Sequence, residues 1–64
     1  MQADQIVKFN NAELGIFSLV TKTANGYAVT LWDTDAEQSV GGVRTYGSAM
    51  LTVAIDHAKA LANI

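Results

Sequence analysis

The chain has 64 residues, of which 16% are charged and half are hydrophobic, and its formal net charge is −2. This composition is too apolar for a disordered chain, and the length allows a single domain, which we assign to residues 1–64. There is no cysteine and only one histidine. A disulfide, a thiolate metal site and a multi-histidine site within one chain are therefore excluded.

The basic residues are few and scattered along the sequence: Lys8, Lys22, Arg44 and Lys59. Phosphate neutralisation needs a basic stripe, so direct binding of nucleic acid is disfavoured. The N-terminus has no cationic start, and no apolar run approaches the roughly 20 residues that span a bilayer. We therefore expect a cytoplasmic protein without a membrane partner.

The first element covers residues 5–9, Gln-Ile-Val-Lys-Phe. Isoleucine, valine and phenylalanine favour a strand, and we predict an edge strand here. A single helical turn beginning near Asp4 is the alternative. Asn10, Asn11 and Gly15 then mark a turn or a bulge.

A β-hairpin is predicted over residues 15–33. Asn25-Gly26 lies between runs of β-branched and aromatic residues, which is the strongest short-range hairpin signal. A two-residue turn at Asn25-Gly26 pairs Val20 with Leu31. A three-residue loop beginning at Ala24 pairs Leu19 with Leu31 instead. That second register would place five apolar side chains on one face: Phe17, Leu19, Tyr27, Val29 and Leu31.

Trp32 is the residue that most strongly indicates an interface. Because side chains alternate along a strand, Trp32 points away from the core under either register. One of the pairs Ile16/Val20 or Phe17/Leu19 must lie beside it. An exposed tryptophan on a partly apolar sheet face is typical of a protein interface. The alternative is a long N-terminal segment that folds over this face.

The remaining chain predicts a polar connection over residues 33–37, a further strand over residues 38–46, and a C-terminal helix over residues 49–62. Gly41-Gly42 suggests a bulge or a close approach of another backbone. Ser48 is the expected N-cap. The fold class is therefore α+β: a three- or four-stranded antiparallel meander with one C-terminal helix packed on one face. The apolar stripe of the helix comprises Leu51, Ala54, Ile55, Ala58, Leu61 and Ala62.

No catalytic, cofactor or metal site is predicted. His57 has no serine or cysteine partner in any motif, and a catalytic histidine needs a positioned partner. Asp33, Asp35 and Glu37 lack the glycine and the distal glutamate of a calcium loop. Gly41-Gly42 is not followed by the lysine and hydroxyl residue of a phosphate loop.

Two resemblances concern residues 25–62. The order of elements resembles that of HicB-type antitoxins, whose module begins Gly-Tyr-x-Val. The residues concerned are Asn25-Gly26-Tyr27-Ala28-Val29-Thr30-Leu31, then Asp33, then a strand, and then Thr45-Tyr46-Gly47-Ser48-Ala49 before an alanine-rich helix. Trp32-Asp33-Thr34-Asp35-Ala36 stands where that family has Pro-Asp-Leu-Pro-Gly. In size, charge and sheet-plus-helix style, with Ser39-Val40-Gly41 leading to a strand and helix, the chain is also similar to phage-encoded inhibitors such as anti-CRISPR proteins. Both resemblances imply occlusion of another protein and no catalytic residue.

We expect a non-enzymatic protein-binding module, a phage or mobile-element inhibitor that occludes its target and self-associates. Its carboxylates would oppose a basic surface on a nucleic-acid-binding complex. The alternatives are a structural homodimer subunit, a HicB-like antitoxin, and a single-stranded nucleic-acid binder that uses its aromatic residues. The expected interface residues are Trp32, Thr30, Lys22, Asp33, Asp35, Glu37, Arg44 and His57.

Overall fold

The computed structural model describes residues 4–64, which form one antiparallel sheet and a C-terminal helix packed on one face of it. The predicted α+β meander is therefore confirmed. Within residues 4–64, no helix is long and apolar enough to cross a membrane. The strands are β1 (Asp4–Asn11), β2 (Ile16–Thr23), β3 (Gly26–Asp33), β4 (Gln38–Ser39) and β5 (Arg44–Gly47), and the helix α1 spans Leu51–Leu61.

The sheet has β1 at one edge, followed by β2 and β3, and both β4 and β5 pair with the far side of β3. The N-terminal segment is a strand rather than a helical turn. The strand predicted over residues 38–46 is split, because residues 40–43 leave the ladder between β4 and β5. Gly41 has φ 76°, and a Cβ on Gly41 or Gly42 would meet nothing within 4 Å. The glycines thus lie in a four-residue excursion from the ladder, residues 40–43, which we call the bulge. No other backbone within residues 4–64 approaches them closely, so that alternative was wrong.

The register between β2 and β3 differs from both predicted registers. Val20 lies opposite Val29, and Phe17 lies opposite Trp32. The turn consists of residues 24–25, neither of which has a positive φ. Since β-strand side chains alternate, this register sends Phe17 and Leu19 to the face opposite Val29. The grouping of those two residues with Val29, which the three-residue loop predicted, was therefore wrong, whereas the two-residue turn predicted the observed face.

The reason lies in the contact between Gly26 and β5. Gly26 is the first residue of β3 and pairs with Gly47. A Cβ on Gly26 would overlap the carbonyl oxygen of Tyr46. Gly26 also has φ 157°, a conformation that residues with a side chain rarely adopt. Glycine is therefore required both by the close approach of two strands and by its backbone conformation.

Small side chains bring α1 close to the sheet. Ala54 and Ala58 are fully buried and form a cluster with Val20 and Val29. The Ser18 hydroxyl donates a buried hydrogen bond to the Ala58 carbonyl oxygen, with an O···O distance of 2.6 Å. Ala62, at the helix C-cap, is also fully buried. The predicted apolar stripe of the helix is confirmed, and its innermost line consists of alanines.

The N-terminal end of α1 differs from the expectation, whereas the C-terminal end lies within one residue of it. The N-cap is Met50, which makes no side-chain capping bond, so Ser48 lies in the preceding turn and is not the cap. At the C-terminus Asn63 takes a left-handed conformation, with φ 60°. The backbone N–H groups of Asn63 and Ile64 donate to the carbonyl oxygens of Ala60 and Lys59, which is the Schellman arrangement.

The contact of Gly26 with β5 can be tested by adding one methyl group. We expect Gly26→Ala to lower the free energy of unfolding by roughly 2 kcal/mol or more, because β5 must move away from β3 and alanine is strained at φ 157°. Gly42→Ala is the matched control, since its methyl group would enter open space. Urea unfolding should show that the control changes stability by less than about 1 kcal/mol. Equal losses in both variants would contradict the assignment.

Candidate protein-interaction surface

The sheet face opposite α1 is left uncovered by every element within residues 4–64. Strand pairing places large side chains there in two neighbouring rows that cross β1, β2 and β3. We call these two rows the open face: Lys8, Leu19 and Thr30 in the first row, and Asn10, Phe17 and Trp32 in the second.

Two aromatic rings dominate this face, and we call them the aromatic stack. The ring planes of Phe17 and Trp32 are parallel within 2°, and their centroids are 6.0 Å apart. The Lys8 ammonium lies 4.3 Å from the Phe17 centroid. The Trp32 indole N–H donates to the Thr30 hydroxyl at 2.9 Å. The stack is thus held in place by a cation on one side and by a hydrogen bond below the indole.

The predicted orientation of Trp32 is confirmed, and Phe17 and Leu19 are the pair that lies beside it. Lys8, Phe17 and Leu19 were not among the expected interface residues. The predicted two-residue turn places Phe17 and Leu19 beside Trp32, as observed. The three-residue loop places them with Val29 instead, because a shift of one residue exchanges the two faces of β2. Thr30 does belong to this surface, as expected.

Carboxylates gather at the end of the sheet next to the aromatic stack. The Asp33 carboxylate accepts hydrogen bonds from the backbone N–H groups of Asp35 and Ala36, at 2.9 and 3.1 Å. The Thr34 N–H donates to the Gly15 carbonyl oxygen at 2.8 Å, which joins this turn to the β1–β2 turn. We call the four carboxylates of these two turns the acidic end: Glu13, Asp33, Asp35 and Glu37.

The carboxylates of the acidic end border the sheet and do not converge on one metal position. Among residues 4–64 there is no group of three histidine, aspartate or glutamate side chains that could hold one metal ion. Asp35 and Glu37 are exposed, whereas Asp33 is half-buried and caps the turn. The free carboxylates can therefore attract a cationic group from outside the chain.

Lys22, Arg44 and His57 lie on the helix side of the sheet, apart from the open face. The Lys22 ammonium is 5.5 Å from the Tyr27 ring centroid, and the Arg44 guanidinium is 5.8 Å from that of Tyr46. These distances are within the range of cation–π attraction, so each positive charge is associated with a ring of its own. The predicted interface set is thus divided between two faces and one end of the sheet.

His57 and Arg44 line a groove of about 370 Å³ below the bulge of residues 40–43. The His57 ring meets the Tyr46 ring edge-on, with centroids 5.9 Å apart. Its Nδ1 atom is buried and has no hydrogen-bond partner within the described part of the chain. The other lining residues are Val29, Leu31, Val40, Gly41, Gly42, Val43 and Leu61.

The chain shows no match to a protein family, to a curated protein or to a solved structure. Function must therefore be inferred from the surfaces themselves. Of these, the open face combines the largest side chains with a fixed geometry.

The aromatic stack should contribute less to folding than the core does. We expect Phe17→Ala to cost about 1 kcal/mol of unfolding free energy and to shift Trp32 emission to the red, because the indole loses its neighbour. Val29→Ala, which truncates a side chain that is 1% exposed, should cost about 2 kcal/mol or more. It should leave the emission of the folded protein unchanged. Equal destabilisation by both variants would place the stack in the folding core.

Proposed function

We propose that this chain is a small non-enzymatic protein-binding module that acts in the cytoplasm by occluding a surface of a target protein. It would act in the manner of phage-encoded inhibitors, which it resembles in size, charge and sheet-plus-helix style. The observation that carries the proposal is the aromatic stack of Phe17 and Trp32 on an uncovered sheet face. Stacked aromatic side chains left outside a core supply the buried area that anchors protein interfaces.

The fixed geometry of the indole supports the same proposal. Trp32 is parallel to Phe17 and is hydrogen-bonded to Thr30, so its orientation is set before a partner arrives. A pre-organised side chain loses less conformational entropy on binding, and more of the contact energy appears as affinity. Leu19 extends the apolar area beside the stack, and Asn10 and Lys8 provide a polar margin.

A structural homodimer is the second candidate, and the small size of the core favours it. The central cluster within residues 4–64 consists of two valines and two alanines: Val20, Val29, Ala54 and Ala58. A domain of about 60 residues buries a modest share of its surface, and a second copy would add to that burial. Light scattering over a dilution series separates the candidates. A monomer at micromolar concentration with an intact near-ultraviolet spectrum would exclude an obligate dimer.

Trp32→Ala is the direct test of the proposed function. The tagged protein would be used to capture its partner from the native host, and affinities would then be measured with the purified partner. We expect Trp32→Ala to weaken binding by about thirtyfold, as is typical of a tryptophan anchor, while unfolding free energy changes far less. Val53→Ala is the control, since Val53 is 46% exposed on the helix, away from the open face. Unchanged affinity of Trp32→Ala, with lowered stability alone, would refute the proposal.

A further inference from the structure

The aromatic stack already binds one cation from its own chain. The Lys8 ammonium approaches Phe17 from β1 and lies 4.3 Å from the ring centroid, while Trp32 adjoins Phe17 from β3. The faces of aromatic rings attract cations, and among aromatic side chains tryptophan attracts them most strongly. The stack therefore runs in the order ammonium, phenyl ring, indole, and the ring with the strongest attraction is at its far end.

The next position in this cross-strand row is occupied by a small side chain. Ser39 of β4 lies opposite Trp32, and it is exposed. Paired residues of an antiparallel ladder lie on the same face of the sheet. A hydroxymethyl group cannot cover an indole, so room remains beside Trp32 for a planar group supplied by a partner.

This position adjoins the acidic end. The β3–β4 turn, which carries Asp35 and Glu37, leads directly into the strand that contains Ser39. Lys8 is the basic side chain of the open face, and its ammonium is on Phe17. Lys22 and Arg44 are over tyrosines on the other face. A group beside Trp32 and Ser39 therefore meets a surface with excess negative charge.

We propose that the partner of the open face presents an arginine side chain, which stacks on the Trp32 indole above Ser39 and faces the carboxylates of Asp35 and Glu37. This inference rests on the proposed function and names the chemistry of the partner. Arginine fits better than lysine, because its planar guanidinium stacks on aromatic rings and pairs with carboxylates through two hydrogen bonds. A phosphate backbone is disfavoured, because it would be repelled by the acidic end.

Trp32 is the only tryptophan of the chain, so its fluorescence reports on this position alone. The probe is a capped peptide of alternating glycine and arginine residues, and its control is the same peptide with citrulline, which keeps the shape but removes the charge. We expect the arginine peptide to change Trp32 emission in a saturable way, with a dissociation constant on the order of 1 mM that increases with salt. Equal binding of the citrulline peptide would overturn the proposal.

Two variants locate the bound group. Asp35→Asn combined with Glu37→Gln should lower the affinity for the arginine peptide by about fivefold. Ser39→Leu, which fills the space beside the indole, should lower that affinity by about tenfold. Asp56→Asn removes a carboxylate from an exposed position of α1 and should leave affinity unchanged. Circular dichroism checks that each variant is folded. Wild-type affinity in both test variants would overturn the proposal.

Further measurements distinguish arginine from other ligands, and the arginine assignment from the proposed protein-binding function. Saturable binding of oligothymidylate in place of the peptide, or a concentration-dependent dimer that buries Trp32, would show that arginine is not the occupant. If the arginine peptide does not bind, while Trp32→Ala still lowers the affinity for the captured partner, the arginine assignment is refuted and the protein-binding function is retained. If Trp32→Ala has no effect on that partner, the proposed function itself falls.

Discussion

The close contact between Gly26 and the β5 backbone is the constraint on which the arrangement of the sheet depends. Because no Cβ can be accommodated beside the Tyr46 carbonyl oxygen, Gly26 must lie inside β3, opposite Gly47. The turn is then limited to residues 24–25, and the register of β2 on β3 is determined. That register assigns Val20 to the core and Phe17 to the open face. A shift of one residue from this register would place Phe17 and Leu19 on the helix side instead.

The packing of α1 has a complementary effect on the aromatic residues. A line of alanines faces the sheet, and the Ser18 hydroxyl reaches the Ala58 carbonyl oxygen across the layer boundary. Such a narrow interlayer space accepts valine and alanine but no aromatic ring at its centre. Phe9, Tyr27 and Tyr46 are therefore packed around the cluster, half-buried. Phe17 and Trp32 lie on the other side of the sheet, where they are free to contact another molecule.

Much of this architecture could be predicted from the sequence, since the strand patterns, the polar turn and the alanine-rich helix each have a clear period. The register could not be predicted, because Asn25-Gly26 is a typical turn sequence, whereas Gly26 here lies inside β3 and contacts β5. Side-chain alternation made the orientation of Trp32 independent of the register, whereas the face that carries Phe17 differed between the two predicted registers. The N-terminal cap of the helix was also missed, since Ser48 lies two residues before the observed cap. The C-terminal end was predicted within one residue, although Asn63 there adopts the left-handed conformation usually taken by glycine.

Charge is distributed asymmetrically around the open face, with most of the carboxylates gathered at one end of the sheet. Three of the four basic side chains lie over aromatic rings of the same chain, where their charge is already partly compensated. Four of the six carboxylates are instead at one end of the sheet, and only Asp33 is engaged with the backbone of its turn. A partner with a basic surface would therefore be attracted to the end of the sheet that adjoins the aromatic stack. Electrostatic attraction would set the direction of approach, and the aromatic stack would supply the buried contact.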